Sequence, residues 1–346
     1  MLVMKFGGTS LGDAAHIGTV ASLVRARLDR EPALVCSAHA GVTDLLLDGA
    51  RAAAAGNPDL DRIRRREHDL LTALGLKASL VDPELDELEQ MFQGLRLLPA
   101  GLAPQVLDQI AAYGERMSVK AVAAYLRKRR IPATAVQADE AGLLTDARYG
   151  RASPLPKAYK TLGSAVRKVK GVPVITGFIG RAPDGSVTTL GRSGSDFTAT
   201  IVGRAVNAEV VLIWTDVSGV LTADPRIVTG ALPVEALTYA EASELAYYGA
   251  KVIHPATIQP AVEAGIPVRI KNTMDPDAPG TVIGPSRPRG GSKVTSIASK
   301  RGIVLVNITS GRMLGQSGFM ARGFDAFRDH DDVVDLIATS EGSVTV

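Results

Sequence analysis

The sequence predicts an α/β fold in which a mainly parallel β-sheet is covered by helices on both faces. Short, almost continuously apolar segments lie at residues 2–6, 33–37, 172–180 and 210–214, and such segments are typical of parallel strands that are buried on both sides. Stretches with the helical spacing of apolar residues alternate with these segments, as they do in strand–helix–strand units.

The first half of the chain begins with a strand and becomes largely helical. The strand at residues 2–6 runs into the turn Gly7-Gly8-Thr9-Ser10, and an amphipathic helix is predicted over residues 17–28. After the second strand, the chain to residue 130 has helical periodicity. Pro83 and Pro104 mark helix starts there, because proline is tolerated in the first turn of a helix.

The second half returns to strands from residue 132. Pro183-Asp184-Gly185 supplies the turn of a hairpin within residues 182–190. Residues 275–292 contain four prolines and four glycines and have no periodicity. This composition predicts a linker between a large first domain, 1–274, and a small strand–helix–strand segment, 293–346.

Composition and charge exclude several classes of protein. The 346 residues are 46% hydrophobic and 22% charged, with a formal net charge of +3, which is too small for a nucleic-acid-binding surface. No apolar run reaches the ~20 residues that a membrane helix needs. The single cysteine, Cys36, lies in an apolar run and is predicted to be a buried, reduced thiol. We therefore expect a cytoplasmic protein without nucleic-acid or membrane partners.

Three polar turns follow predicted strands and are candidates for binding an anion. In the first, Lys5 precedes paired glycines whose N–H groups can converge on a phosphate; a tight turn beside an exposed lysine is the alternative. The second, residues 191–196, opens a helix. There Arg192 suits a carboxylate and Asp196 a metal or a lysine, and a helix N-cap with a local ion pair is the alternative. The third, residues 214–226, places polar side chains at a strand end, where open sheets bind ligands.

Two further charged residues have both a functional and a structural interpretation. Glu115 lies in an apolar helical stretch, where a carboxylate could hold an ammonium group or form a surface salt bridge. Lys251 could reach a nucleotide phosphate or be an exposed lysine near a helix end. The chain has no G-x-x-x-x-G-K-[ST] or G-x-G-x-x-G motif, so phosphoryl chemistry would need a different scaffold.

Six motifs resemble those of the aspartokinases, a branch of the amino-acid kinase family. They are KFGGTS at 5–10, SAHAGVTDLLL at 37–47, GERMS at 114–118, GRSGSDFTA at 191–199, WTDVSGVLTADPR at 214–226 and ELAYYGAKVIHP at 244–255. The resemblance implies that family's three-layer α/β/α sandwich. It also implies phosphorylation of the β-carboxylate of L-aspartate by ATP with Mg²⁺, the first step toward lysine, threonine and methionine.

The resemblance also implies a role for each matched residue. Lys5 would stabilise the charge on the transferring phosphoryl group, and Asp196 would orient Lys5. Substrate aspartate would be bound by Ser37, Thr43, Glu115, Arg192 and Ser195, and ATP by Lys5, Gly7, Gly8, Ser10, Thr215, Asp216, Arg226 and Lys251. Because a carboxylate is already a nucleophile, no general base is required, and positioning and charge neutralisation carry the rate.

The sequence departs from the family pattern at two motif positions and at its end. His39 stands where the family commonly has serine, and Ser193 where it has glycine. Residues 333–346 resemble part of a regulatory ACT domain, and no second ACT domain follows them. We therefore expect weak or absent feedback inhibition, and we expect this segment to pair with a second copy in a dimer, to remain loose or to aggregate. Lysine-sensing relatives bind their effector at the positions of Met313, Ser317, Gly318, Phe319 and Asp335.

Three functional hypotheses follow from the sequence. The favoured one is an active aspartokinase. A related kinase acting on glutamate or another carboxylate is less favoured because of the GERMS and SAHAGVTDL motifs. A non-catalytic regulatory partner or a truncated remnant is the third hypothesis, and the joint presence of Lys5, Arg192 and Asp196 argues against it.

Overall fold

The computed structural model describes residues 1–97, 102–248, 253–287, 294–299, 302–309, 317–330, 334, 336–340 and 342–346. The chain forms two units, Met1–Ala298 and Ser299–Val346. Within the described ranges, no helix combines the length and the apolar character needed to cross a membrane.

The first unit is built around a large central sheet. Its strands and those of an adjoining hairpin are β1 (Leu2–Phe6), β2 (Pro32–Cys36), β3 (Ala133–Val136), β4 (Val172–Thr176), β5 (Ile179–Arg181), β6 (Val187–Thr189), β7 (Val211–Thr215), β8 (Ala236–Thr238), β9 (Val268–Asn272) and β10 (Thr281–Gly284). The central sheet has the order β3-β4-β2-β1-β7-β9-β10-β8. From β3 to β9 all neighbours are parallel, whereas β10 is antiparallel to β9. The predicted mainly parallel sheet is confirmed.

Helices cover both faces of this sheet. They are α1 (Ala14–Arg25), α2 (Val42–Ala54), α3 (Asp61–Ala73), α4 (Asp82–Arg96), α5 (Pro104–Lys128), α6 (Pro156–Arg167), α7 (Gly194–Val206), α8 (Tyr239–Tyr247) and α9 (Pro255–Ala264). Apolar residues of α1 and α5 share one core with the sheet, and those of α6, α7 and α9 share the core on the other face. Helices α2 to α5 enclose a third core. The arrangement is the predicted α/β/α sandwich with a helical addition.

The alternation of side chains along β1 directs a charged residue toward α7. Leu2, Met4 and Phe6 pack in the core shared with α1 and α5, whereas Val3 packs in the core shared with α7. Since successive side chains of a strand point to opposite faces, Lys5 lies on the same face as Val3. Its position near the end of the strand brings its ammonium group to the first turn of α7.

Several local predictions are confirmed. Pro83 and Pro104 lie in the first turns of α4 and α5, and β5 and β6 form the predicted hairpin. Cys36 is buried, and its burial raises the pKa of the thiol to about 12.

The stretch 275–292 differs from its prediction as a linker, because it contributes β10 to the central sheet. Its prolines and glycines signalled the turns around a short strand and not an unstructured connection. At Gly280, for example, φ is +70° and an added Cβ would lie 2.0 Å from the carbonyl oxygen of Ile270, so only glycine fits the turn into β10.

The second unit contains β11 (Asn307–Thr309), α10 (Phe319–Asp329), β12 (Ala338–Thr339) and β13 (Ser343–Thr345). The strands form an antiparallel sheet in the order β11-β13-β12. The end of the chain, predicted as one strand, therefore contains two short antiparallel strands. The Ser340 N–H, which follows the first of them, donates to the carbonyl oxygen of Ser343 at 2.8 Å.

Candidate active site

A cavity of about 320 Å³ lies at the carboxyl ends of β1 and β2. Its walls also come from α5 and from the turn that opens α7, so four distant parts of the sequence meet there. Predicted site residues that line it are Lys5, Gly8, Ser37, Thr43, Glu115, Ser195 and Asp196. The carboxyl edge of parallel strands is where open α/β sheets bind ligands.

An ion pair joins β1 to α7 at this cavity. Lys5 Nζ lies 2.7 Å from Asp196 Oδ1, and the two side chains are only 10% and 13% exposed. Because the carboxylate fixes the position of the ammonium group, Lys5 is held ready to stabilise negative charge on a bound group. The predicted pairing of Lys5 with Asp196 is therefore present.

The glycine turn after β1 allows close approach of the backbone to its neighbours. A Cβ on Gly7 would lie 3.3 Å from Lys5 Nζ, and a Cβ on Gly8 would lie 3.2 Å from the carbonyl oxygen of Ala38. Side chains at these positions would push against the ion pair and against the turn after β2. The paired glycines thus let the two turns form adjoining walls of one cavity.

Glu115 supplies a buried carboxyl group to the same cavity. Its side chain is 3% exposed, and Oε1 accepts the Ala38 N–H at 3.0 Å. Oε2 is buried and has no hydrogen-bond partner among the described residues. Burial raises the pKa of Glu115 to about 8. A cationic group bound in the cavity would supply the missing partner and favour the ionised carboxylate.

Comparison with known proteins agrees with this geometry. Residues 1–272 match the Amino acid kinase family. The chain belongs to the amino acid kinase family. The chain is 41% identical to aspartokinase 3, chloroplastic, of Arabidopsis thaliana. The alignment covers 99% of this chain and 64% of that relative's length.

Two comparisons with bacterial proteins cover a larger share of the relative's length. The chain is 35% identical to lysine-sensitive aspartokinase 3 of Escherichia coli K12, with 100% of this chain and 78% of the relative aligned. It also matches the crystal structure of E. coli aspartokinase III in complex with aspartate and ADP. The TM-score is 0.80, the identity 32% and the coverage 100% of this chain and 78% of that one. The predicted resemblance to aspartokinases is confirmed.

The turn that opens α7 in this amino acid kinase has a left-handed backbone. Gly191 has φ of +78°, and Ser193, which precedes the helix, has φ of +56° and ψ of +27°. The side chain of Arg192 between them is exposed and does not line the cavity. Arg192, which was predicted to bind a carboxylate, therefore lies in the turn beside the cavity and does not form part of the cavity wall.

Several of the residues predicted to bind the nucleotide lie outside the cavity wall. Thr215 ends β7, and its hydroxyl donates to Asp216 at 3.1 Å. Arg226 is exposed and donates through Nε and Nη2 to Asp224, at 3.0 and 2.7 Å. None of these residues lines the cavity. Lys251 lies outside the described residues.

Ser10 has a different environment from the one expected for a phosphate ligand. It is buried, and its hydroxyl lies 2.7 Å from Oγ1 of Thr273. The contact fixes the turn after β1 against the segment after β9. Ser10 is therefore placed to position the glycine turn.

The predicted effector residues belong to the second unit. Ser317 and Gly318 precede α10, and Phe319 begins it. Met313 and Asp335 lie outside the described residues. Where the structure describes side chains, no group of three or more His, Cys, Asp or Glu is placed to hold a metal ion.

Sequence reasoning missed two features of the cavity wall. Phe178 lines the cavity with φ of +66°, which is unusual for a bulky residue and is a form of strain found at functional sites. Its N–H donates to Thr198 Oγ1 at 2.9 Å. The second feature is the pairing of His39 with Glu67. Glu67 lies in the strongly charged segment 61–69, which by itself indicates only a solvated helix.

Proposed function

We propose that this amino acid kinase transfers the γ-phosphoryl group of MgATP to the β-carboxylate of L-aspartate, giving an acyl phosphate and ADP. The observation that carries the proposal is the joint presence, in one cavity, of a lysine held by Asp196 and a buried Glu115 oxygen that has no hydrogen-bond partner in the described part of the chain. The first suits a transferring phosphoryl group and the second suits the ammonium group of an amino acid.

The chemical step needs positioning and charge neutralisation. A carboxylate oxygen of aspartate attacks the γ-phosphorus, the bond to the bridging oxygen breaks, and ADP leaves with the electron pair. No proton has to be removed from the nucleophile. Lys5 neutralises the charge on the phosphoryl oxygens, and Asp196 keeps Lys5 oriented.

The remaining residues bind the two substrates in this proposal. Glu115 accepts the ammonium group, and the hydroxyl groups of Ser37, Thr43 and Ser195 line the same cavity. Arg192, exposed in the turn before α7, would turn inward to bind the α-carboxylate. Thr215, Asp216, Arg226 and Lys251 would bind the nucleotide. The E. coli relative crystallised with aspartate and ADP supports this choice of substrates.

Other parts of the proposal rest on the sequence and on the resemblance. Mg²⁺ would enter as the counter-ion of the ATP phosphates, because it prefers oxygen ligands. A catalytic part within residues 1–274, an ACT-like regulatory segment, 293–346, association into a dimer and a cytoplasmic location all remain predictions.

The test is a hydroxamate assay. We would mix the protein with MgATP, hydroxylamine and L-aspartate, with L-glutamate in a parallel reaction. An acyl phosphate is trapped as a coloured hydroxamate, which we expect with aspartate alone. Lys5→Ala should lower turnover by about 10²–10³-fold, whereas Lys168→Ala, at an exposed lysine after α6, should not.

Hydroxamate formed with L-glutamate alone would show that the substrate is glutamate and not aspartate. Folded wild-type protein that forms no hydroxamate with either substrate would instead favour a regulatory role. Near-normal turnover of Lys5→Ala would remove Lys5 from the phosphoryl-transfer step.

A further inference from the structure

A buried carboxylate on α5 holds two segments that lie far from it in the chain. Asp108 is 4% exposed. Its two oxygens accept the Gly150 N–H at 2.9 and 3.1 Å, the Thr189 N–H at 2.7 Å and the Thr189 hydroxyl at 2.7 Å. A buried carboxylate is costly unless donors surround it, and each of these contacts comes from a donor. Asp108 therefore connects α5 both to the segment at Gly150 and to the end of β6.

The segments that Asp108 holds form the base of the turn that opens α7. Thr189 is followed directly by Leu190 and Gly191, where the turn begins. The Leu190 N–H donates to the carbonyl oxygen of Phe178 at 2.8 Å. Gly150 packs against the turn itself, since its carbonyl oxygen would lie only 2.8 Å from a Cβ on Gly191. The position of the turn therefore depends on the two segments that Asp108 ties to α5.

Helix α5 also carries Glu115, the carboxylate proposed to bind the ammonium group. Asp108 and Glu115 are separated by close to two helical turns, so they lie on the same face of α5 and about 10 Å apart along its axis. Ala112 lies between them and shares a small core with Val187 of the hairpin. One helix therefore supports both the carboxylate for the ammonium group and the base of the turn that presents Arg192.

We propose that Asp108 is a positioning residue of the aspartate site, which sets the distance between Glu115 and the turn that carries Arg192, Ser195 and Asp196. The inference rests on the proposed function and adds to it a residue that does not line the cavity. An amino acid presents its ammonium and carboxylate groups at a fixed separation. A displacement of about 1 Å in the groups that bind them can cost ~100-fold in rate, so the contacts of Asp108 act on substrate binding from outside the cavity.

Kinetics of three variants test this role. Asp108→Asn keeps the shape of the side chain but turns an NH2 group toward N–H donors, so kcat/KM for L-aspartate should fall about 10–100-fold through a higher KM. Thr189→Val removes only the hydroxyl contact and should cause a smaller fall of about 3–10-fold. Thr189→Ser keeps the hydroxyl and should recover most of that loss. The KM for MgATP should not change, because the proposed nucleotide residues lie at and beyond the end of β7.

Thr188 provides a matched control on the same strand. Side chains alternate along β6, and the Thr188 hydroxyl oxygen lies 2.6 Å from that of Thr145 instead of facing Asp108. Thr188→Val and Thr189→Val each remove one buried hydroxyl contact, so both should lower the midpoint of urea unfolding, but only Thr189→Val should raise the KM for L-aspartate. A wild-type KM for L-aspartate in Thr189→Val and in folded Asp108→Asn would overturn the proposal, because lower stability alone describes a purely structural contact.

Amide hydrogen exchange, followed by mass spectrometry, tests the contact without turnover. Exchange across residues 189–196 should be faster in Asp108→Asn than in Thr188→Val, because only the first substitution releases the base of the turn. Equal exchange in these two variants would contradict the inference. Folded wild-type protein that forms no hydroxamate would reject the proposed reaction, and faster exchange in Asp108→Asn would then still identify Asp108 as the residue that holds the turn.

Discussion

At the scale of single residues, Ser193 combines a position in the cavity wall with an unfavourable backbone conformation. Its φ of +56° and ψ of +27° lie in the left-handed region, which costs an L-residue with a side chain about 1–2 kcal/mol. The family pattern has glycine here, which adopts this conformation without a side-chain penalty. Ser193 therefore holds the turn at the cavity in a left-handed conformation at some cost in stability.

We predict that Ser193→Gly stabilises the protein. Glycine removes the left-handed penalty but gains freedom in the unfolded chain, so the net gain should be ~0.5–1 kcal/mol. Urea unfolding should show a higher midpoint with an unchanged slope. Ser164→Gly, at an exposed position within α6, should have the opposite sign, because glycine weakens a helix interior. Equal and destabilising effects at both positions would contradict the strain at Ser193.

At the scale of elements, α6 and α7 pack with their backbones in close approach. A Cβ on Gly163 of α6 would lie only 2.2 Å from the carbonyl oxygen of Ala205 on α7. Since backbone atoms cannot move aside as a flexible side chain can, any side chain at Gly163 must separate the helices. Because α7 also carries Asp196, this contact helps to fix the position of the ion pair with Lys5.

We predict that Gly163→Ala destabilises the protein by about 1–3 kcal/mol, the usual cost of overpacking. Gly94→Ala is the matched control. Gly94 lies exposed in α4 with no atom of the described residues within 4 Å of an added Cβ, so alanine there should stabilise by ~0.5–1 kcal/mol. Denaturant midpoints of the two variants should therefore move in opposite directions. Stability of Gly163→Ala equal to the wild type would show that the helices are not held this closely.

At the scale of the whole molecule, Glu115 links folding to pH. Burial raises its pKa from 4.5 to about 8. Between these values the unfolded chain releases the proton and the folded chain retains it. The unfolded state therefore binds fewer protons in this window, and the free energy of unfolding contributed by Glu115 falls as pH rises from about 4.5 to about 8.

We predict that Glu115→Gln removes this contribution. Relative to the variant, the wild type should lose up to ~1.4 kcal/mol of unfolding free energy per pH unit across that window. Urea unfolding of both proteins from pH 5 to pH 8 measures the difference, in which the contributions of other groups cancel. Two parallel curves would show that Glu115 titrates normally in the folded state.

The sequence by itself determined the layout of the protein. Apolar runs such as residues 2–6 and prolines such as Pro83 act through local backbone preferences and solvation, and these hold wherever the segment lies. The six motifs likewise predicted that Lys5, Glu115 and Asp196 belong to one site, and these residues line one cavity. Charge and hydrogen-bonding capacity are fixed by the residue type, so they can be inferred from the sequence.

The tertiary structure alone decided which of these groups meet. The 2.7 Å contact of Lys5 with Asp196, the hydrogen bond from the Ala38 N–H to Glu115 and the pairing of His39 with Glu67 join residues far apart in the chain. Strand β10 formed within a proline- and glycine-rich stretch because β8 and β9 were there to pair with it. Such contacts depend on the packing of whole helices and strands, and a local pattern contains no information about the distance between them.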